Sequence, residues 1–359
     1  DILENKNIER LKKEKIKIFI GQKKQNLKNA TIVVISSAIK KNNPEMVEAR
    51  RKNLPIISRG KMLAHIVSLM KNIVVVGSHG KTTTTSLVSS ILQKTKLDPT
   101  IINGGVINSI KNTARLGKSE WSILEADESD GSFVHIPTTY SIITNIDKEH
   151  MDFYKSMDDL KNYFVQFVEK VPSFGKSFIC IDDKINNHIV RKLNSPNLYT
   201  YGTNPRSNFL IKNIKQTTKL TEFDLLVNVP NKKKLFIKKI KIPLLGLHNV
   251  RNSVAAAAVA LTVGISVTDI KNGLLNFKGV QRRFNKIFTY NEIDFYDDYA
   301  HHPTEIKVVL DGVNKVYKGF DKVCIFQPHR ISRLKDLRKD FSFAFKNADT
   351  VVLCPVYTA

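Results

Sequence analysis

A short glycine-rich turn is the strongest chemical signal in the sequence, and it runs Gly77-Ser78-His79-Gly80-Lys81-Thr82-Thr83. The apolar run Ile73–Val76 predicts a buried strand before it, and the spacing of apolar residues in Ser86–Leu92 predicts a helix after it. Such a turn binds phosphate, because backbone N–H groups and the helix dipole converge on the anion. We expect Lys81 to reach the β- and γ-phosphates, and Thr82 or Thr83 to offer a hydroxyl to Mg²⁺.

The loop is shorter than the common pattern G-x-x-x-x-G-K-[ST], because Val75 stands five residues before Gly80. A chance Gly-Lys-Thr turn is the alternative, but the strand before it and the helix after it favour a phosphate loop. We expect the Lys81 side chain to be exposed in this loop. Its replacement would then remove activity without a loss of core packing.

Carboxylates and a histidine follow two further predicted strands. The strand Ser122–Leu124 leads into Glu125-Ala126-Asp127-Glu128-Ser129-Asp130, and the strand Tyr140–Asn145 is followed by His150. Ligands bind at the carboxyl ends of parallel strands, and an acid beside a phosphate loop commonly holds a metal. Glu125 and His150 are therefore candidate metal ligands. The alternatives are a solvated acidic loop and a capping or surface histidine.

Polar residues in the second half of the chain are candidates for nucleotide contact. Asn249 and Asn252 precede a predicted Ala-rich helix, Ser253–Val263, and they suit either an adenine edge or a helix cap. Arg283 follows Arg282 in a predicted linker, and a guanidinium suits phosphate.

Two strand ends in the last part of the chain carry further polar clusters. A predicted strand at 293–296 is followed by Asp297-Asp298-Tyr299-Ala300-His301-His302, and Pro303 then opens a helix. The predicted strand Val323–Phe326 is followed by Gln327-Pro328-His329-Arg330-Ile331-Ser332-Arg333.

The order of these elements predicts an α/β protein with three domains in its 359 residues. Residues 1–69 would be part of a Rossmann-like unit, with strands at 31–36 and 55–57 and a helix at 45–52. Residues 70–277 would be the central ATP-binding domain, and 278–359 part of a second Rossmann-like domain. The Lys-rich segment 232–242 predicts an exposed edge strand.

Composition narrows the class of protein. The net charge of +24 comes largely from scattered lysines. Binding of small, phosphate-rich substrates explains this charge as well as binding of nucleic acid does. We do not expect nucleic acid as a partner. We expect Cys180, Cys324 and Cys354 to be buried thiols of a reducing, cytoplasmic compartment. The longest apolar run is too short to span a bilayer, so we expect no membrane insertion. The oligomeric state is left open.

The motifs taken together resemble the Mur ligases over essentially the whole chain. The resemblance includes the phosphate loop, the acidic motif, and segments of similar kind, namely Asn103-Gly104-Gly105, 145–152, His248-Asn249 with Asn252, and Gln281-Arg282-Arg283-Phe284. Segments 297–305 and 326–330 are similar to the branch that adds L-alanine to UDP-N-acetylmuramate. Ser78 stands where this family commonly has Thr.

The resemblance implies a UDP-substrate domain, a central phosphate-loop ATPase domain and a C-terminal Rossmann-like domain. It also implies an ATP-dependent ligase that forms an amide through an acyl phosphate. Residues 77–83 would bind the phosphates of ATP, with Lys81 on the γ-phosphate. Thr82, Glu125 and His150 would hold two Mg²⁺ ions.

The remaining roles implied by the resemblance concern the nucleotide and the two substrates. Asn249 and Asn252 would contact the adenine side, and Arg283 with Asp297 or Asp298 would contact the nucleotide. His329 and Arg330 would face the muramoyl carboxylate and the amino acid.

Other functions remain open at this stage. A murein tripeptide recycling ligase is the nearest alternative, a folylpolyglutamate synthase is more distant, and a nucleotide-binding module without catalysis belongs to another class.

The first residue is Asp1 rather than Met, and the chain stops directly after an apolar strand. We therefore expect a piece of a longer protein, with the uridine-binding glycine loop upstream and the end of the third domain downstream.

Overall fold

The computed structural model describes residues 4–36, 38–193 and 195–357, which divide into two compact units between Ser68 and Leu69. The first unit contains, in order, α1 (Lys6–Lys13), a 3₁₀ helix (Lys24–Leu27), β1 (Val33–Ile35), α2 (Pro44–Arg51), β2 (Ile56–Ser58) and α3 (Arg59–Ile66). Strands β1 and β2 pair in parallel across α2. The side chain of Asn43 caps α2, and Pro44 occupies its first turn. The predicted uridine-binding loop lies outside the described residues.

The second unit begins with the elements that frame the phosphate loop. These are β3 (Lys71–Val76), α4 (Lys81–Leu92), β4 (Thr100–Ile107), β5 (Asn112–Arg115), β6 (Trp121–Glu125), a 3₁₀ helix (Ser132–His135), β7 (Tyr140–Ile143), α5 (Met157–Glu169), β8 (Lys176–Cys180), α6 (Lys184–Lys192) and β9 (Leu198–Gly202). A meander and two helices follow, namely β10 (Phe209–Gln216), β11 (Thr221–Val227), β12 (Leu235–Ile242), α7 (Leu247–Thr262) and α8 (Val267–Leu275).

The last part of this unit alternates strands and helices. It consists of β13 (Asn285–Tyr290), β14 (Ile293–Asp297), α9 (Pro303–Val316), β15 (Val323–Phe326), α10 (Ile331–Asp336), α11 (Arg338–Ala344) and β16 (Thr350–Leu353). Strands β13 and β14 form an antiparallel pair, and β15 and β16 form a parallel pair. A small core of Ile306, Phe326 and Ala344 packs α9 and α11 against β15.

One ten-stranded sheet organises the second unit, in the order β12-β11-β10-β9-β8-β7-β3-β6-β4-β5. Strands β4, β6, β3, β7, β8, β9 and β10 pair in parallel, and antiparallel strands complete both edges. The phosphate-loop strand β3 lies between β6 and β7, so that the carboxyl ends of three strands meet beside the loop. Helices α4, α7 and α8 share the main apolar core with this sheet. The α/β class is confirmed.

Two expectations from the sequence need correction, and one strand was missed. Helix α7 begins at Leu247, not at Ser253, because Gly246 (φ +88°) turns the chain into the helix there. Strand β13 was not predicted. Of the three free cysteines, Cys180 is buried in the main apolar core, whereas Cys324 and Cys354 are half-buried because they lie in and just after the two-stranded β15–β16 pair, outside that core.

The predicted edge strand is confirmed, because β12 lies at one end of the ten-stranded sheet. In the part of the chain that the structure describes, no helix combines the length and apolar character needed to cross a bilayer.

Candidate active site

The phosphate loop joins β3 to α4 with two glycines in backbone conformations that other residues rarely adopt. Gly77 has φ +130° and Gly80 has φ +82°. A Cβ on Gly80 would lie 2.9 Å from Asn252 Oδ1, so that the close approach of α7 requires glycine there. The Ser78 hydroxyl accepts a hydrogen bond from the Asp147 amide at 2.8 Å. The loop is therefore fixed by the segment that follows β7.

Lys81 is not exposed, which corrects the expectation from the sequence. Its side chain is 14% exposed, and its Nζ lies 2.8 Å from Glu128 Oε2 and donates to Gly77 O at 2.6 Å. Burial alone would lower the Lys81 pKa, but the carboxylates of Glu128 and Glu125 raise it above the ordinary value. The ammonium is thus held charged inside the loop by an acidic partner.

Thr82 and Glu125 come together at the start of α4. The Thr82 hydroxyl donates to Glu125 Oε1 at 2.9 Å, and the Gly104 amide donates to Glu125 Oε2 at 2.7 Å. A hydroxyl and a carboxylate side by side at a phosphate loop are oxygen donors of the kind that Mg²⁺ prefers. This arrangement places two of the three predicted metal ligands in contact.

The third predicted ligand, His150, lies instead beside Glu128, with 3.7 Å between His150 Nε2 and Glu128 Oε1. Asp127, Glu128 and His150 offer ligand atoms that all lie within 4.8 Å of one another. Burial lowers the His150 pKa, which keeps the imidazole neutral and able to bind a cation. Burial also raises the pKa of Glu128, against the opposing effect of Lys81.

A cleft enclosing about 820 Å³, its open mouth included, adjoins the phosphate loop. Its lining includes most of the predicted nucleotide contacts, namely His79, Gly80, Thr83, Asn249, Asn252, Arg283 and Asp298. Asp298 accepts hydrogen bonds from the backbone amides of Phe284 and Ala300, and burial raises its pKa. Of the two aspartates, Asp298 lines this cleft. Asp297 lies at the end of β14 and pairs with Arg282 instead, with 3.6 Å between Asp297 Oδ2 and Arg282 Nε.

The two predicted asparagines do not cap a helix. Asn249 lies inside α7, and its Nδ2 donates to Leu245 O at 2.8 Å. Asn252 lies one turn further along and approaches Asn249 Oδ1 at 3.4 Å. Both line the cleft, which favours nucleotide contact over helix capping as their role.

A second cleft, of about 520 Å³ with its open mouth included, brings together His150, Arg330 and Arg333. The Arg333 side chain is 12% exposed, and its Nη2 lies 3.3 Å from Glu149 Oε1. Two guanidinium groups in one cleft are suited to carboxylates. His329 lies outside the lining of both clefts, with its ring stacked on Tyr357 at 5.5 Å between centroids.

Reasoning from the sequence missed three charged residues of this region, of which Glu128 and Glu305 are buried and Arg333 is half-buried. Glu128 was seen only as part of an acidic run, although it is 2% exposed and holds Lys81. Glu305 and Arg333 were quoted only as parts of motifs. The sequence signal for Glu128 and Glu305 was their place one to three residues after a strand end or a helix start.

Known proteins provide an independent comparison. Profiles described as Mur ligase family, catalytic domain; Mur ligase middle domain; and Mur ligase, glutamate ligase domain match residues 1–71, 75–260 and 282–358, respectively. The chain is 69% identical over 359 residues to the UDP-N-acetylmuramate–L-alanine ligase of Pelagibacter ubique (strain HTCC1062), covering all of this chain and 77% of that protein. It is 43% identical to the ligase of the same name from Brucella anthropi, covering 76% of that protein.

Solved structures agree with this comparison. The crystal structure of UDP-N-acetylmuramate-alanine ligase from Thermotoga maritima matches with a TM-score of 0.84 and 27% identity, over 99% of this chain and 79% of that chain. A murein peptide ligase from Psychrobacter arcticus shares the fold, with a TM-score of 0.72 and 22% identity over 97% of this chain and 82% of that chain. The three-domain architecture predicted from the sequence is confirmed. The chain belongs to the Mur ligase family.

Proposed function

We propose that this chain catalyses the ATP-dependent joining of L-alanine to UDP-N-acetylmuramate, a step of peptidoglycan synthesis, with ADP and phosphate as products. The observation that carries the proposal is the edge of the sheet where Lys81, the Thr82–Glu125 pair and the Glu128–His150 pair lie together. The relative from Pelagibacter ubique, which is 69% identical, bears the name of this activity.

ATP would place its phosphates on the loop and its nucleoside in the first cleft. Asn249, Asn252, Arg283 and Asp298 line that cleft and supply amide, guanidinium and carboxylate groups for the base and the ribose. The Lys81 ammonium, which is now paired with Glu128, would turn toward the γ-phosphate. There it would stabilise the charge on the transferring phosphoryl group.

The donor set fits Mg²⁺, because oxygen ligands predominate. Thr82 and Glu125 would hold one ion, and His150 would hold the other together with the neighbouring carboxylates of Asp127 and Glu128. Bound Mg²⁺ supplies neutralisation of the negative charge on the phosphate oxygens.

The reaction that these residues suit has two steps. An oxygen of the muramoyl carboxylate attacks the γ-phosphorus, the bond to the bridging oxygen breaks, and ADP leaves with that electron pair. The amine of alanine then attacks the acyl carbon and loses a proton, and phosphate leaves with the electrons of the C–O bond. Neither step requires a nucleophilic side chain, so positioning and electrostatic stabilisation suffice.

The second cleft is the place we propose for the amino-acid carboxylate. Arg330 and Arg333 line it beside His150, which faces the phosphate side of the site. One methyl group is worth only about 1–3 kcal/mol of discrimination, so we expect some use of glycine and serine in place of alanine.

We place the reaction in the cytoplasm, where ATP and nucleotide-linked sugar acids occur. Three free thiols agree with that compartment.

The test offers the intact enzyme UDP-N-acetylmuramate, ATP and one acceptor at a time, and follows the amide by mass and ADP by a coupled assay. We expect the alanine product, a weaker glycine or serine product, and no product with glutamate or lysine. Preference for the tripeptide L-alanyl-γ-D-glutamyl-meso-diaminopimelate would favour the recycling ligase. Binding of ATP without an amide from any acceptor would refute ligase activity.

A further inference from the structure

His79, in the middle of the phosphate loop, lies between two carboxylates from distant parts of the second unit. Its Nε2 is 3.1 Å from Asp147 Oδ2, and its Nδ1 is 3.4 Å from Glu305 Oε1. The His79 side chain is 13% exposed. Asp147 follows β7, whereas Glu305 lies in the first turn of α9. One imidazole therefore joins the phosphate loop to a helix of the C-terminal part.

Further contacts strengthen this junction from both sides. The Thr304 hydroxyl donates to Asp147 Oδ2 at 2.7 Å, so that α9 also reaches Asp147 directly. The His302 ring packs on His79 with 4.8 Å between centroids. Arg283 Nη1 lies 3.7 Å from Glu305 Oε1. Each of these groups lies on a segment that lines one of the two clefts or borders it.

The backbone of His79 is held as firmly as its ring. The His79 amide donates to Asn145 Oδ1 at 2.9 Å, and its carbonyl accepts from Thr144 Oγ1 at 2.7 Å and from Asn145 Nδ2 at 2.9 Å. The ring is therefore presented from a fixed backbone, so its contacts with Asp147 and Glu305 tie those two residues to the loop that carries Lys81. The opposite wall of the nucleotide cleft comes from α9, through Val308, Val309 and Val313.

We propose that His79 is a positioning residue of the ligase reaction: its imidazolium clamps α9 and Asp147 against the phosphate loop and so fixes the width of the nucleotide cleft. The inference rests on the proposed function and assigns to this side chain a role beyond contact with phosphate. Without the clamp, ATP still binds the loop, but the wall formed by α9 no longer closes on it in the geometry needed for phosphoryl transfer.

The charge on His79 agrees with a clamp and not with proton transfer. Burial alone would lower the His79 pKa, but hydrogen bonds to Asp147 and Glu305 raise it to about 10. The same contacts hold the pKa of both carboxyls below the ordinary value, although burial opposes them. Both ring nitrogens therefore carry protons and donate at neutral pH, so neither is free to accept a proton from a substrate.

The test compares His79→Gln, His79→Asn and Glu305→Gln with the wild-type enzyme, and uses His188→Gln on the exposed face of α6 as the matched control. We expect kcat for ligation to fall at least tenfold in all three variants. We expect the Kd of a non-hydrolysable ATP analogue to change less than threefold. Because the two groups act through one contact, His79→Gln combined with Glu305→Gln should be no slower than the slower single variant.

Each outcome decides the question. A kcat within twofold of wild type, or a Kd that weakens in proportion to the loss of kcat, would overturn the clamp in favour of a purely local role in the loop. If the His79 variants fail to fold, Glu305→Gln removes the negative charge from the same link on the other wall, and unchanged turnover in that variant would also overturn the clamp. A wild-type enzyme that forms no amide would instead refute the proposed function.

Discussion

Replacing Lys81 should cost stability as well as activity, because the side chain holds a buried carboxylate. In Lys81→Ala the Glu128 carboxylate, 2% exposed, loses its cationic partner at 2.8 Å. A buried charge that loses its partner in this way costs about 3–5 kcal/mol unless it takes up a proton. Protonating a glutamate from its ordinary pKa of 4.5 costs about 3.4 kcal/mol at pH 7 and about 1.4 kcal/mol at pH 5.5.

The protonation cost sets the upper limit of the effect and its dependence on pH. The folded-state pKa of Glu128 in this variant lies above the unfolded value, so the destabilisation is present at neutral pH and fades as the pH falls toward 4.5. We expect the free energy of unfolding to drop by up to about 3 kcal/mol at pH 7 and by about 1 kcal/mol at pH 5.5. Adding Glu128→Gln should restore most of the loss.

Urea unfolding followed by the fluorescence of the single tryptophan, Trp121 on β6, measures this directly in the sheet that carries the site. Lys155→Ala is the control, because Lys155 is exposed. Equal stability of Lys81→Ala and wild type from pH 5.5 to 7 would refute the reasoning, as would a double variant less stable than Lys81→Ala. Ligase activity should be lost in Lys81→Ala at every pH.

Three further predictions concern the metal, the nucleotide and the amino acid. Glu125→Gln and His150→Ala should each raise the Mg²⁺ concentration for half-maximal activity several-fold, and superimposable Mg²⁺ titrations would remove them from the metal site. Gly80→Ala should weaken binding of an ATP analogue at least tenfold, measured by calorimetry, because φ is +82° and a Cβ meets the neighbouring helix; an unchanged Kd would contradict this. Arg333→Lys should raise the KM for alanine and not for ATP, whereas the exposed Arg338→Lys should change neither.

Local patterns sufficed to predict the phosphate loop and its strand. Residues Ile73–Val76 are all fully buried, and a continuous apolar run followed by glycine and a helical pattern is a local signal. The start of α7 could not be placed by the same means, because polar residues interrupt the apolar pattern of its first two turns and its start depends on Gly246.

Contacts between distant segments account for what the sequence did not predict. The burial of Lys81 follows from Glu128 on a neighbouring strand end, and the Tyr154 hydroxyl holds the backbone carbonyl of Glu128. Likewise, Arg333 meets Glu149 across 184 residues of sequence. Residue types marked the candidates, but only the packing of α9 and α10 against the strand ends decides which of them face a cleft.

Transfer of oxygen from the muramoyl carboxylate to phosphate tests the central claim most directly. UDP-N-acetylmuramate labelled with ¹⁸O in both carboxylate oxygens is incubated with the intact enzyme, ATP and L-alanine, and the released phosphate is analysed by mass spectrometry. Attack of the carboxylate on the γ-phosphorus predicts one ¹⁸O in each phosphate and one in the new amide. Phosphate without ¹⁸O would mean that water, and not the carboxylate, attacks ATP at the Lys81 loop, and it would contradict the account.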